Sequence, residues 1–338
     1  MSWHDVKSLT VEGRGWNDTA EFYDRLPAHA ESKVPQSVWH LSKHTAGIVV
    51  RFVTDSPDIG VKWSLLNSNL AMPHMPATGV SGVDLYVRYN EKWQWLAIGK
   101  PSDQENECTM VSGLSSELRE YALYLPLYNG ISSVEIGIAE NASIKPAPER
   151  KPSYRPVVFY GSSITQGGCA SRPGMAYPAI IGRKLDISTI NLGFSGAGKC
   201  EHEVADLLAE LDPEVYVIDC LPNMDLPDVD ERLRYLLNVL KQKRPDTPVV
   251  LVGHGGSQSA FARANVPKTP KSAALEKVYK DYKNEWGRKL YYVDGRFLVG
   301  RDGEGTVDGT HATDLGFQRM ADGLTPVIRK LLPAYGKP

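Results

Sequence analysis

The sequence predicts an α/β fold, a doubly wound parallel sheet preceded by an antiparallel β-sandwich domain. Three observations lead there. Between residues 40 and 140, apolar residues recur with period two in short runs separated by turn signals. Prolines then stand at 146, 148, 152 and 156, fixing φ and withholding donors in what reads as a semi-rigid connector. Beyond it, short continuous apolar runs alternate with helical patterns, as in a parallel sheet covered on both faces. For 338 residues, one or two domains are expected, and the chain is divided into residues 1–150 and 151–338.

Element by element, residues 47–53 are β-branched and apolar, and 59–65 alternate through Ile59, Val61, Trp63 and Leu65. Residues 82–89 place Val83, Leu85, Val87 and Tyr89 on one face, the pattern of a half-buried strand. Residues 93–98, 118–127 and 133–138 continue it. The turns Asp55-Ser56-Pro57-Asp58, Asn90-Glu91 and Tyr128-Asn129-Gly130 punctuate it. No long amphipathic helix is expected in this half. In the second half, strands are expected at 157–160, 188–192, 215–219, 249–253 and 290–293. Helices are expected at 177–185, 201–211, 229–241, 272–286 and 315–332. Ligands of such sheets bind at the carboxyl ends of the strands, so the chemistry belongs in the loops that follow them.

Lys and Arg number 38 and Asp and Glu 40, a formal net charge of −2. That balance argues against a nucleic-acid binder, which needs a basic stripe. Hydrophobic residues make up 42% and charged residues 23%, enough for a packed core and against wholesale disorder. Apolar runs such as Val249 to Val252 are too short to span a bilayer. The stretch from Met1 to Gly15 is polar and mixed rather than an apolar leader. The chain is read as cytoplasmic, or as periplasmic or secreted after removal of a signal peptide. Cys108, Cys169, Cys200 and Cys220 form no C-x-x-C pair, which argues against a structural zinc site. They read as free, mostly buried thiols, with a Cys169–Cys200 bridge left open.

Four loops carry candidate chemistry. The first is Gly161-Ser162-Ser163-Ile164-Thr165-Gln166-Gly167-Gly168, which could cradle phosphate or present a nucleophile. It lacks the end of a P-loop, the G-x-G-x-x-G spacing and the G-x-S-x-G elbow. The second, Asn191-Leu192-Gly193-Phe194-Ser195-Gly196-Ala197-Gly198, has glycines that let a backbone N–H approach a ligand. The third, Asp219-Cys220-Leu221-Pro222-Asn223-Met224, offers an amide that could donate to an oxyanion or cap a helix. The last runs from Val307 to Gly316 and holds Asp308 and His311. An acid orienting an imidazole is two-thirds of a triad.

Taken together, the order Ser, Gly, Asn, Asp-x-x-His resembles the SGNH, or GDSL, hydrolases over about residues 155 to 335. The family's Gly-Asp-Ser-Ile/Leu block places the nucleophile at Ser163, just before Ile164, with Ser162 standing where the Asp would be. The second-block glycine matches Gly196. The third-block Asn matches Asn223, with Pro222 in place of the usual Gly. Asp308 and His311 match fully, with the continuation Gly309-Thr310-His311-Ala312-Thr313-Asp314-Leu315-Gly316-Phe317. Gly82-Val83-Asp84-Leu85-Tyr86 resembles the GxDLY signature of a β-sandwich that precedes some members, a bacterial subgroup.

The resemblance implies a serine esterase. Ser163, His311 and Asp308 would form the triad, and the Ser163 and Gly196 N–H groups with Asn223 the oxyanion hole, without a metal or organic cofactor. Its substrates would be short acyl esters, acetyl foremost, on carbohydrates, the partner being a small-molecule or oligosaccharide ester. Alternatives are a lipase or thioesterase with the same triad, and a non-catalytic carbohydrate-binding protein on the same scaffold. Neither a nucleic-acid partner nor a membrane span is expected, and the oligomeric state is open. Cys200-Glu201-His202-Glu203 reads as a helix start, where acids suit the dipole. His254 is a candidate pocket residue. His74 is a candidate to reach the catalytic face, within a loop, residues 67–82, expected to contribute to acceptor-side recognition. Trp63, Trp93 and Trp95 are read as core or as a sugar-stacking surface, with Trp63 favoured as core.

Overall fold

A computed structural model describes residues 1–150, 154–255 and 268–333, and three sheets form among them. In the front half the strands are β1 (Ser2–Asp5), β2 (Thr10–Glu12), β3 (Val49–Thr54), β4 (Ile59–Leu65), β5 (Val83–Tyr89), β6 (Lys92–Gly99), β7 (Glu105–Val111), β8 (Arg119–Tyr124), β9 (Ile131–Ile138) and β10 (Ile144–Pro146). They pair antiparallel as β1-β9-β4-β7 and as β10-β3-β8-β5-β6, with β2 added to β3. Phe52, Val61, Trp63, Leu85, Leu123 and Ile136 meet in the core between them. Helices here are short: α1 (Gln36–Ser42) and α2 (Ala77–Val80).

Sequence reasoning placed six of these strands and missed four. β10 lay within what read as a proline connector. It pairs with β3 at the sheet's edge, where Pro146 can sit. The division at 150/151 falls beside residues 151–153, outside the described residues.

The second half builds a parallel sheet from β11 (Val157–Gly161), β12 (Thr189–Gly193), β13 (Val215–Asp219), β14 (Val249–Val252) and β15 (Leu290–Val293), in the order β12-β11-β13-β14-β15. Its helices are α3 (Ser163–Gln166), α4 (Tyr177–Leu185), α5 (His202–Leu208), α6 (Leu226–Lys243), α7 (Pro270–Trp286) and α8 (Asp314–Leu331). Alternation along β11 sends Val158 and Tyr160 into one core, with α5, α6 and α7, and Val157 and Phe159 into the other, with α4 and α8. All four are fully buried, and burying each side chain of this size contributes about 1.5–3 kcal/mol. The strand that leads into Ser163 is therefore anchored on both faces. β12 and β13 flank it, so the strand order reverses there, and Gly161 lies opposite both Gly193 and Asp219. A crevice opens at such a reversal.

The two halves are not packed independently. Leu26, Ala30, Val34, Val38 and Trp39, from the front of the chain, lie in the core under the parallel sheet. Next to them, Arg25 is buried with its guanidinium donating to four carbonyls: His44 (2.7 Å), Asn191 (2.9 Å), Gly193 (2.8 Å) and Leu41 (2.6 Å). Burial pushes its pKa down to about 9. Its face lies over the Phe194 ring, 4.8 Å from the centroid. Replacing it orphans buried acceptors, each costing about 1–3 kcal/mol. Arg25→Met should accordingly lower the unfolding free energy by at least about 3 kcal/mol, read from urea denaturation. Arg25→Lys, which lacks the planar fork, should recover only part of it.

Candidate active site

Ser162 and Ser163 occupy the turn from β11 into α3. Ser162 is the N-cap: its Oγ accepts from the Ile164 N–H (3.3 Å) and it is fully buried. Ser163 is the first helical residue, 6% exposed, with its Oγ 2.9 Å from His311 Nε2. Of the two adjacent hydroxyls, one is spent on the helix start and the other faces the imidazole. The turn is tight because its neighbours are glycines. A Cβ on Gly161 would sit 2.1 Å from Thr165 Oγ1, and one on Gly193 2.1 Å from the Gln166 nitrogen. The Ser163 carbonyl accepts from Gly167 N (3.0 Å), Gly168 N (2.7 Å) and the Tyr128 hydroxyl (3.3 Å).

His311 and Asp308 lie on one loop closed by a bridge between Thr306 and Ala312, with Val307 N donating to the His311 carbonyl at 2.8 Å. Asp308 Oδ1 accepts from the backbone N–H groups of Thr310 (2.9 Å) and His311 (2.8 Å), and Oδ2 from the ring at Nδ1 (2.7 Å). Partial burial pushes this carboxyl up, but those three hydrogen bonds outweigh it and hold the pKa at about 2. An ionised carboxylate only accepts, so Nδ1 carries the proton and Nε2 is left to accept from Ser163. Ser163, His311 and Asp308 thus form one hydrogen-bonded row.

Gly196 is exposed, at φ +69°, and its N–H makes no hydrogen bond among the described residues. Asn223 faces the same loop. Its Nδ2 donates to the carbonyls of Phe194 (3.2 Å) and Gly198 (3.3 Å). Its amide protons therefore hold the segment that presents Gly196. Beside Gly196, Pro35, Ser37, Lys199, His202, Glu203 and Arg232 line a polar groove of about 450 Å³.

Two amides that sequence reasoning passed over join the loops. Gln166 Oε1 accepts from Ser195 N (2.9 Å), while its Nε2 donates to the Leu127 carbonyl (2.9 Å) and His44 Nδ1 (3.1 Å). Burial and the Arg25 charge keep His44 down at about 4, so it is neutral and its Nδ1 accepts. Asn191 Nδ2 donates to the Thr165 carbonyl (2.8 Å) and its Oδ1 accepts from Gly193 N (2.8 Å). Both lie inside the first two of the four loops, and that position is the only signal they carry in the sequence.

The front half reaches the site at several points. Asp84, the acid of the Gly82–Tyr86 motif, is buried and accepts from Arg172 Nη1 (2.8 Å), Gly174 N (2.9 Å) and Trp95 Nε1 (2.9 Å). Burial still pushes its carboxyl up, against the Arg172 charge. Met72 and Met75 pair through both backbone hydrogen bonds, and His74 stands at the apex of that turn. Its ring meets that of His311 edge-on, 5.4 Å between centroids. Thr78 Oγ1 donates to the Ser171 carbonyl (2.6 Å), so residues 67–82 dock on the segment that follows Ser163.

Trp63 is buried in the sandwich core with Nε1 bonded to the Ser81 carbonyl, Trp93 reaches Asp186, and Trp95 is 49% exposed. His254 lines a small interior cavity of about 30 Å³ with Ile164, Asp219 and Thr310. His202 opens α5, stacks on Tyr235 and pairs with Glu231. All four cysteines are unpaired. Burial, with the Asp308 charge nearby, raises the Cys169 thiol to about 11, so little of it is thiolate at neutral pH.

The sequence model of the GDSL-like Lipase/Acylhydrolase family matches residues 154–329, and that of the GxDLY family, the N-terminus of SGNH-hydrolase-type esterases, matches 1–144. The chain belongs to the GDSL-like lipase/acylhydrolase family. A crystal structure from Bacteroides ovatus described as a GDSL-like lipase is 35% identical, with 98% of this chain and 97% of that one covered and a TM-score of 0.89. The salicylyl-acyltransferase SsfX3 of a tetracycline biosynthetic pathway shares the fold at 19% identity over 98% and 97% of the chains (TM-score 0.75). So does a family two carbohydrate esterase from Clostridium thermocellum in complex with cellohexaose, at 18% identity over 84% and 92% (TM-score 0.60). None of the curated proteins matches. No described helix is long and apolar enough to cross a membrane.

Two glycines of the second loop make opposite structural demands. Gly193→Ala drives a Cβ into the α3 backbone and should cost about 3 kcal/mol, the upper range for overpacking. Gly196→Ala meets nothing within 4 Å and should cost only the left-handed backbone term, about 1 kcal/mol. Thermal denaturation of the pair, with the larger shift in Gly193→Ala, checks this reading of the loop.

Proposed function

We propose that the chain is a serine esterase that removes short acyl groups, acetyl foremost, from carbohydrates. The observation that carries the reading is the row Asp308–His311–Ser163, with hydrogen bonds of 2.7 and 2.9 Å. In this mechanism Ser163 Oγ attacks the ester carbonyl as His311 Nε2 takes its proton. Asp308 holds the tautomer and stabilises the imidazolium. The developing oxyanion is met by the Ser163 and Gly196 N–H groups, and by an Asn223 proton that leaves a loop carbonyl for it. His311 then gives its proton to the departing sugar oxygen. Water, activated by the same nitrogen, hydrolyses the acyl-enzyme.

Support for a carbohydrate substrate comes from the polar groove beside Gly196, which suits a hydroxylated group better than an acyl chain, and from the fold shared with carbohydrate esterases. Residues 67–82, with His74 beside His311, wall the acceptor side. The sandwich belongs to residues 1–150 and the catalytic sheet to 151–338, with Leu26 to Trp39 crossing that division to pack under the parallel sheet.

A fluorophosphonate probe should label Ser163, and Ser163→Ala should lose at least about 10⁴ in turnover. Ser162→Ala should keep most of the turnover and lose about 1 kcal/mol of stability with its cap. On p-nitrophenyl esters the rate should fall steeply beyond acetyl. Label on Ser162, or preference for long chains, would overturn the assignment. Asn223→Ala should lower kcat by about 10² to 10³ with little change in KM; an effect confined to KM would make Asn223 a substrate-binding residue instead.

A further inference from the structure

We propose that His74, Cys169 and His311 form a binding site for a thiophilic divalent cation, Zn²⁺ in particular, and that its occupancy turns the hydrolase off. One ligand atom from each of the three residues lies within 4.8 Å of the other two. They come from separate parts of the chain: the Met72–Met75 turn, the segment following α3 and the Asp308–His311 loop. Cys169 is 6% exposed, and its Sγ makes no hydrogen bond among the described residues. Its backbone is in the left-handed region at φ +74°, which is uncommon for a residue with a Cβ.

Tetrahedral zinc with Zn–N near 2.0–2.1 Å and Zn–S near 2.3 Å needs its ligand atoms roughly 3.4–3.6 Å apart. No ligand-to-ligand separation must therefore close by more than about 1.3 Å. His74 is exposed at a turn apex, so side-chain rotation there can bring its ring toward the other two ligands. The fourth position is left to water, the open arrangement of a His/His/Cys site.

The orientation of His311 decides the consequence. Its Nδ1 is committed to Asp308, so the metal takes Nε2. That is the nitrogen which accepts from Ser163, and a metal there removes the acceptor for the serine proton. Asp308 then stands behind the ligating ring as carboxylates commonly stand behind metal-bound histidines, holding the tautomer. On binding, the Cys169 S–H bond breaks, the sulfur keeps the electron pair for the metal, and the proton goes to solvent. The inhibitory part of the proposal rests on the esterase reading; the binding part does not.

The test uses the full chain. Cd²⁺ titration should produce a thiolate-to-metal charge-transfer absorbance that saturates at one ion per chain. Zn²⁺ should compete it away, and hydrolysis of p-nitrophenyl acetate should fall in step with Zn²⁺ occupancy and return with chelator. Cys169→Ser, close in shape, should keep its metal-free activity, lose the absorbance and need at least about tenfold more Zn²⁺ for inhibition. His74→Ala should weaken Cd²⁺ binding by a similar factor. Wild-type protein without the absorbance, or Zn²⁺ inhibition undiminished in both variants, overturns the proposal. Should the chain hydrolyse no ester, the absorbance and its stoichiometry still decide the site, which separates this failure from that of the esterase reading.

Discussion

Where a parallel sheet ends, its last carbonyls point past the ladder into the loops, and when they are buried something must satisfy them. Here that requirement is met by a cation from far upstream. Arg25 donates to Asn191 and Gly193 at the end of β12, and also to Leu41 and His44 beside it. Its planar fork reaches all four, which a Lys ammonium could not do with the same geometry. Among the described residues no carboxylate pairs with it; backbone dipoles and the Phe194 ring stabilise the charge. The loop that presents Gly196 starts from this clamp.

Of the two positions where the chain departs from the family motifs, the one beside Ser163 has a simple physical account. In the GDSL pattern the residue before the nucleophile is Asp, and here it is Ser162, whose Oγ caps α3. Asp and Ser are about equally good N-caps because each carries an oxygen acceptor on a short side chain, one bond from Cβ in Ser and two in Asp. The exchange preserves the start of the helix, and with it the position of Ser163. A second hydroxyl is added to the sequence, but it is buried and directed at the backbone.

Much of the second half was legible because period and punctuation agreed. Residues 177–185, 215–219 and 290–293 fold as their patterns indicated, with continuous apolar runs for strands buried on both faces. The missed front strands lack such a signal. β7 reads Glu-Asn-Glu-Cys-Thr-Met-Val at the edge of its sheet, β1 and β2 are short, and β10 contains a proline. Residues 26–39 were illegible in another way: their apolar side chains pack under a sheet whose strands begin more than a hundred residues later. The motif residues could be listed from the sequence, but not the commitment of Asn223 to the Phe194 and Gly198 carbonyls, because a hydrogen bond across loops has no periodicity.

The same non-local contacts bear on what the front half is for. Each loop of the hydrogen-bonded row is braced by a residue that precedes the connector. The Tyr128 hydroxyl donates to the Ser163 carbonyl, Arg25 holds Asn191 and Gly193, Asp84 accepts from Arg172 and Gly174, and His74 lies against His311. A detachable binding module would meet its partner through a rim of exposed polar contacts. Here Asp84 and Arg25 are buried, and removing them would leave Arg172 without the carboxylate it pairs with and take a donor from the buried carbonyls of Asn191 and Gly193, at about 1–3 kcal/mol for each orphaned group. The antiparallel half is therefore part of the wall and support of the crevice, and the geometry around Ser163 depends on both halves folding together.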